Sequence, residues 1–248
     1  MKFALITPPA GEGPIYAHRL SYHMALAQGL MNDPAYMHMY KRIKHNVNGA
    51  FIMVDNGAAE GDRQPFDEVV RVANEIGADE IVMPDELRDA QWTIEYTTDA
   101  AAMNIVPPRK RVVVPQGTTL QEWAMCLRRL IEAMEFRTIG VPKHLDATIP
   151  GGRAEVLEFL ETWSFHTRYD IHLLGLNRLE ELRDLAARFP WVRGIDTGMP
   201  IGWAQDNMLL GFSTEHHPLQ WHNDFDEKLA EANIAQILTL CRKEDTCM

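Results

Sequence analysis

Cysteine is scarce in this chain: Cys126, Cys241 and Cys247 are the only three, widely spaced and without a Cys-x-x-Cys pair. That excludes a disulfide framework and a cysteine-built structural zinc site, and it fits a reducing compartment. Long apolar runs are missing too. No stretch approaches the roughly 20 residues of a membrane span, and the run opened by Phe3 is halted by Pro8 and Pro9, too short for a secretory signal. A cytoplasmic protein with no membrane partner is expected. Cations are outnumbered, with 24 Lys plus Arg against 35 Asp plus Glu and a formal charge of -11. An indiscriminate polyanion binder is thereby excluded, and any nucleic-acid footprint must be confined to basic groups around one cleft. The Gly-x-Gly-x-x-Gly phosphate loop is also absent after the first apolar run, where the sequence reads Thr7-Pro-Pro-Ala-Gly-Glu-Gly13.

What is present is alternation. Of 248 residues 46% are hydrophobic, ample for a core. Short apolar runs at 3–7, 50–55, 80–85, 111–116, 138–142, 170–175 and 192–196 predict buried strands, and 207–212 is a weaker eighth candidate. Amphipathic stretches at 65–76, 87–103, 120–134, 153–165, 179–189 and 226–242 predict helices. Apolar strands alternating with helices imply a parallel sheet covered on both faces. The number of units predicts an α/β fold, a single-domain (β/α)8 TIM-type barrel spanning 1–248, ahead of an open doubly wound sheet. The interval 31–49 reads as an insertion and 206–248 as a variable carboxyl-terminal segment.

In such a barrel the reactive groups gather where strands end. Here the runs close on Asp55, Asp85, Gln116, Gly140-Val141-Pro142, Gly175 and Asp196. An Asp after a strand commonly caps the next helix, which fits Asp85 best and Asp196 least. Two carboxylates facing one cavity can divide labour, one staying ionised as nucleophile while the other moves a proton; attack on an anomeric carbon then gives a covalent sugar ester. A third carboxylate with an amide matches a guanine edge, whose N1–H and exocyclic amine are donors and whose O6 is an acceptor.

These motifs carry a resemblance. Val54-Asp55-Asn56-Gly57, Ile81-Val-Met-Pro-Asp85-Glu86, Val114-Pro-Gln116-Gly117, Ile139-Gly140-Val141, Leu173-Leu174-Gly175 and Gly194-Ile-Asp196-Thr-Gly-Met199-Pro200 resemble, in order, the motifs of tRNA-guanine transglycosylases over roughly residues 50 to 205. The resemblance implies Asp196 as nucleophile and Asp55 as general acid or base. It also implies a substrate pocket of Asn56, Gly57, Asp85, Gln116, Gly117, Gly140, Val141, Leu174, Gly175 and Met199. The family's Cys-x-Cys-x-x-Cys zinc pattern is missing, Asn56 and Ala58 replace the commoner Ser and Gly, and no Arg follows Pro200. This zinc-free pattern is most similar to the phage DpdA branch, which exchanges guanine in DNA for a 7-deazaguanine such as preQ0. DNA and a free 7-deazaguanine base are then the implied partners. No cofactor is expected, because the ester retains the energy of the glycosidic bond. Action on tRNA, or a purine- or nucleic-acid-binding barrel without turnover, are the alternatives.

A nucleic-acid reading needs cations on the catalytic face. Arg63, Arg88, Lys143, His144, Arg153 and Arg178 follow strands and are so placed, whereas Arg109-Lys110-Arg111 precedes one and belongs to the far end. The Lys41-Arg42-Ile-Lys44-His45 cluster is open to either a solvated or a nucleic-acid role. No metal site is assigned: the His-rich segment 215–226 lacks a helical His pair or a Cys partner, and surface packing or substrate contact is expected there. Met24, Met31, Met37 and Met39, with Tyr16, Tyr22, Tyr36 and Tyr40, are expected mainly in the core.

Overall fold

The structure is a computed structural model that describes residues 1–58, 61, 63–176, 178–211 and 219–241. Eight parallel strands close in chain order: β1 (Lys2–Leu5), β2 (Tyr22–Leu26), β3 (Phe51–Asp55), β4 (Glu80–Val82), β5 (Arg111–Val113), β6 (Thr138–Pro142), β7 (Asp170–Leu174) and β8 (Gly194–Thr197), which pairs back onto β1. Around them run α1 (Glu12–Ala17), α2 (Ala27–Asn32), α3 (Pro34–Asn46), α4 (Phe66–Glu75), α5 (Ala90–Ala102) and α6 (Leu120–Ala133). The ring continues with α7 (Leu145–Thr148), α8 (Gly152–Thr162), α9 (Leu179–Arg188), α10 (Met199–Gln205) and α11 (Glu227–Cys241). The chain is thus a single-domain (β/α)8 barrel. Among the described residues no helix is long and apolar enough to cross a membrane.

Two expectations are corrected. The remaining strand is β2, at Tyr22–Leu26, and residues 207–211 form turns and irregular chain, with the Leu210 amide donating to Asn233 Oδ1 at 2.7 Å. The 31–49 interval holds α3, the ordinary crossover from β2 to β3 and not an added loop. Asp33 caps α3 by accepting from the amides of Ala35 (2.8 Å) and Tyr36 (3.3 Å), with Pro34 in the first turn where its missing N–H costs nothing. Its cations are held by carboxylates, Lys41 by Glu75, Arg42 by Glu12 and Lys44 by Asp79, so this cluster is an ion-paired outer face.

Alternation along each strand sorts the core into two shells. Ala4, Tyr22, Met24, Met53, Val82, Val112 and Val114 point into the barrel. Their neighbours Val54, Ile81, Val113, Ile139, Leu173 and Ile195 point outward beneath the helices, where Met39, Tyr36 and Tyr40 also lie buried. The inward period that carries Met53 and Val114 reaches Asp55 and Gln116 at the carboxyl end, and on β8 it reaches Asp196. Register fixes their height: Asp55 pairs with Leu26, and Asp196 with Ala4.

Candidate active site

The carboxyl ends of the strands surround a cavity of about 830 Å³ whose wall includes Asp55, Asn56, Asp85, Gln116, Gly175 and Asp196. The two carboxylates implied as nucleophile and proton carrier, distant in sequence, therefore face one space. Lys143, His144, Leu174 and Met199 also line it.

Asp85 is not a helix cap. That role belongs to Asp89, whose carboxylate accepts from the Trp92 amide at 2.9 Å at the start of α5. Asp85 is buried and instead accepts from Asn56 Nδ2 (2.7 Å) and Gln116 Nε2 (2.6 Å). Asn56 Nδ2 also donates to the Met83 carbonyl at 2.8 Å, and Gln116 Oε1 accepts from the Arg88 amide at 3.1 Å. These contacts lock the amide orientations: Asn56 supports Asp85 from one side, and Gln116 supports it from the other. Beneath them Cys126 receives the Gln116 amide on Sγ at 3.4 Å, and burial pushes its thiol up to about 11. It is a packing group and not a nucleophile. Cys241 is likewise buried and unpaired by disulfide, and Cys247 lies outside the described residues.

Asp196 is 3% exposed and held at both oxygens. Oδ2 accepts from the Gly175 amide at 3.1 Å, and Oδ1 lies 2.9 Å from Nε2 of His172. Gly175 has φ +72°, which glycine adopts without strain, and the turn it makes aims its N–H from the end of β7 at β8. Asp55 is half-buried and accepts from the Gly57 amide at 3.3 Å, across a turn in which Gly57 has φ +80°.

Other residues implied by the resemblance serve the cavity from outside it. Gly57 acts through the turn just described. Gly117 packs on the first turn of α6, where a Cβ would stand 2.6 Å from the Trp123 amide nitrogen. Gly140 faces inward between Leu174 and Val114, where a Cβ would lie 2.9 and 3.1 Å from their side chains, so its smallness keeps the floor open. Val141, one residue on, falls on the opposite parity and its side chain is buried beneath the helices, outside the cavity.

The cations divide. Lys143 lies at the rim with its stem against Gly175. His144 also reaches the cavity, but burial lowers its imidazole to about 4, with Arg88 adding repulsion, so at neutral pH it is not a cation for phosphate. Arg63 pairs with Glu86 and lies over Trp92, 4.0 Å from the ring centroid, beside a smaller depression that it shares with Asn56 and Tyr96. Arg88 and Arg178 are exposed, Arg178 at the start of α9, and neither lines the main cavity. Arg153 is wholly buried: it binds Glu181 and donates to the carbonyls of Leu174 (3.3 Å) and Gly175 (2.8 Å), fastening the end of β7 where a phosphate contact was expected. Arg111 is buried at the far end among carbonyls of Val106, Glu135 and Ala101.

Two features were missed. His172 reads in the sequence as part of an apolar strand; its inward parity, shared with Leu174, is the signal that sets it apart. The second is an apolar wall made by Met24 and Leu26 of β2 with Leu219 and Trp221. Trp221 stands edge-on to Tyr36 at 5.0 Å, and Gln205 clamps its segment through the carbonyls of Gln220 (2.8 Å) and His222 (3.1 Å). Residues 219–226 of this segment bring Leu219 and Trp221 to the cavity wall, and residues 215–218 lie outside the described residues. Among the described residues no cluster of His, Cys, Asp and Glu is arranged to hold a metal.

No family model matches the chain, and no curated protein matches it. Solved structures do. A mandelate racemase/muconate lactonizing enzyme from Roseiflexus sp. superposes with a TM-score of 0.53 at 12% identity, over 79% of this chain and 54% of that one. The chain thus spans about half the length of that enzyme. N-(5'-phosphoribosyl)anthranilate isomerase from Pyrococcus furiosus gives 0.50 at 12% identity, over 96% and 98% of the two chains. Tryptophan synthase from M. tuberculosis gives 0.53 at 11%, over 97% and 92%. At such identities the likeness establishes the barrel fold and carries no chemistry across.

Proposed function

We propose that this barrel is a base-exchange glycosyltransferase that replaces guanine in DNA by a 7-deazaguanine. The observation that carries the proposal is that Asp55 and Asp196 line one cavity whose wall also holds the fixed Asp85–Gln116 pair. A space of about 830 Å³ accommodates a nucleobase with its sugar. Asp85 presents acceptors to the N1–H and exocyclic amine of a guanine edge. The Gln116 amide has two hydrogens, one of which goes to Asp85, and the other matches O6.

In the first half-reaction an oxygen of Asp196 bonds to C1′ as the C1′–N9 bond breaks; the electron pair of that bond leaves with guanine, which takes a proton from Asp55. In the second, the incoming base gives its N9 proton to Asp55 and bonds to C1′, and the ester bond breaks to return the Asp196 carboxylate. Proton count and charge balance over the cycle. The target base is stacked in duplex DNA and must be extruded before it can enter, and Lys143 at the rim is placed for the phosphate beside it.

The test incubates the protein with labelled guanine and either plasmid DNA or tRNA, then identifies nucleosides by mass spectrometry after adding candidate 7-deazaguanines. Label in DNA, and deazaguanine nucleosides formed only when the free base is supplied, are expected. Label confined to tRNA would move the substrate to RNA. Guanine binding without label in either would mark a binding barrel, and guanine release needing no incoming base would mark a hydrolase.

A further inference from the structure

Beneath the candidate nucleophile a line of buried polar groups runs down the barrel axis. His172 Nε2 is 2.9 Å from Asp196 Oδ1, and its Nδ1 is 2.9 Å from the Tyr22 hydroxyl. Arg193 Nε donates to that hydroxyl at 3.1 Å, and the same guanidinium grips Glu80 with Nη1–Oε1 2.8 Å and Nη2–Oε2 2.6 Å. Tyr22 and His172 are buried, His172 completely, in an interior otherwise lined by Ala4, Met24, Met53 and Val112. A polar chain through an apolar barrel is costly unless every member is satisfied.

The proton directions follow from the donor inventory. A guanidinium only donates, so the Tyr22 oxygen accepts from Arg193 and turns its own hydrogen to His172 Nδ1. With Nδ1 an acceptor, the imidazole proton sits on Nε2 and is donated to Asp196. The reverse tautomer would place an acceptor nitrogen against a carboxylate oxygen and leave the phenol hydrogen without a partner. One assignment satisfies the chain from Glu80 to Asp196.

We propose that His172 is a positioning residue for Asp196, with its tautomer and ring orientation set from the opposite end of the barrel by Arg193 through Tyr22. This rests on Asp196 being the nucleophile of the proposed exchange. His172 does not line the cavity, so it cannot touch substrate. Its part is to hold Oδ1 while the Gly175 amide holds Oδ2, fixing the carboxylate plane through formation and breakage of the sugar ester. A hydrogen-bond donor rigidly anchored below the carboxylate does this without competing for the incoming C1′.

The test compares wild type, His172→Leu, His172→Gln and Tyr22→Phe in base exchange, with melting temperature as the control for folding. Loss of a charge-assisted hydrogen bond should lower kcat about 10- to 100-fold in His172→Leu while KM for the free base changes less than about threefold. His172→Gln, whose amide nitrogen can reach the place of Nε2, should recover most of that loss, and Tyr22→Phe should fall between. An imidazole 15N spectrum of the wild type should show the Nε2–H form. His172→Leu retaining wild-type kcat, His172→Gln doing no better than His172→Leu, or an Nδ1–H imidazole would overturn the positioning role. Absence of exchange by wild type itself, on DNA and tRNA, would overturn the nucleophile reading and this role with it.

Discussion

The Gly175 amide, at the end of one strand, donates to Oδ2 of Asp196 on the next at 3.1 Å, so a backbone turn with φ +72° holds one oxygen of the candidate nucleophile. Alanine at 175 must adopt a left-handed conformation and bring its Cβ within 2.8 Å of Lys143 Cδ, a flexible chain that can give way. Gly175→Ala should therefore cost only about 1–2 kcal/mol of stability. It should slow base exchange roughly tenfold because the amide shifts. Melting curves and initial rates on the same preparation check both; an unchanged rate would show that the turn does not align Asp196.

Asp55 is the proposed proton carrier, half-buried at the cavity wall. Asp55→Asn retains shape and replaces the ionisable carboxyl by an amide that cannot carry the proton, so kcat should fall about 10²- to 10⁴-fold with guanine still bound. Steady-state kinetics beside equilibrium binding separates the two; a loss confined to binding would make Asp55 a recognition group.

Gln116 lies between Asp85 and the Arg88 amide and is proposed to donate to O6 of the base. Gln116→Ala should weaken guanine binding by about 10- to 100-fold, the range for a buried polar contact left unmade. It should also narrow the preference for guanine over adenine, which has no O6. Calorimetric titration with both bases reads this directly.

His23 of β2 is fully buried, and burial pushes its imidazole down to about 4. A folded-state value below the unfolded one means that stability is complete above about pH 6.5 and is lost as pH falls toward 4, since the unfolded chain takes up the proton first. The loss at pH 5 should be about 2 kcal/mol from this group. Melting temperatures of wild type and His23→Leu at pH 7.5 and 5.0 isolate it: the variant should show a shallower fall, and parallel curves would remove His23 as the cause.

How far the sequence disclosed all this varies by element. The β1 and β3–β8 runs announced themselves because both faces of a barrel strand are buried, giving short, mainly apolar segments. Tyr22-His-Met-Ala-Leu26 did not: it has no β-branched residue, so little in it favours a strand over the helix that follows. With that strand unseen, α3 looked like an insertion, although Asp33-Pro34 is a helix-start signal. At the site, Asp55, Asp85, Gln116 and Asp196 were legible because strand-end position alone puts them at one mouth. The support beneath Asp196 was not, because a histidine within Ile171-His-Leu-Leu reads as core until its neighbour across the sheet is known. Arg153 shows the opposite error: its place after β6 suggested the surface, but the carbonyls at the end of β7 draw it inside.

The most direct measurement is the mass of the protein after brief incubation with a guanine-containing DNA oligonucleotide and acid quench, followed by peptide mapping. Covalent oligonucleotide attached at Asp196, lost on adding free guanine before the quench and absent in Asp196→Ala, is the expected result. Base exchange proceeding with no adduct under any quench, or with an adduct on a different side chain, would contradict the assignment of Asp196 as the group that carries the sugar.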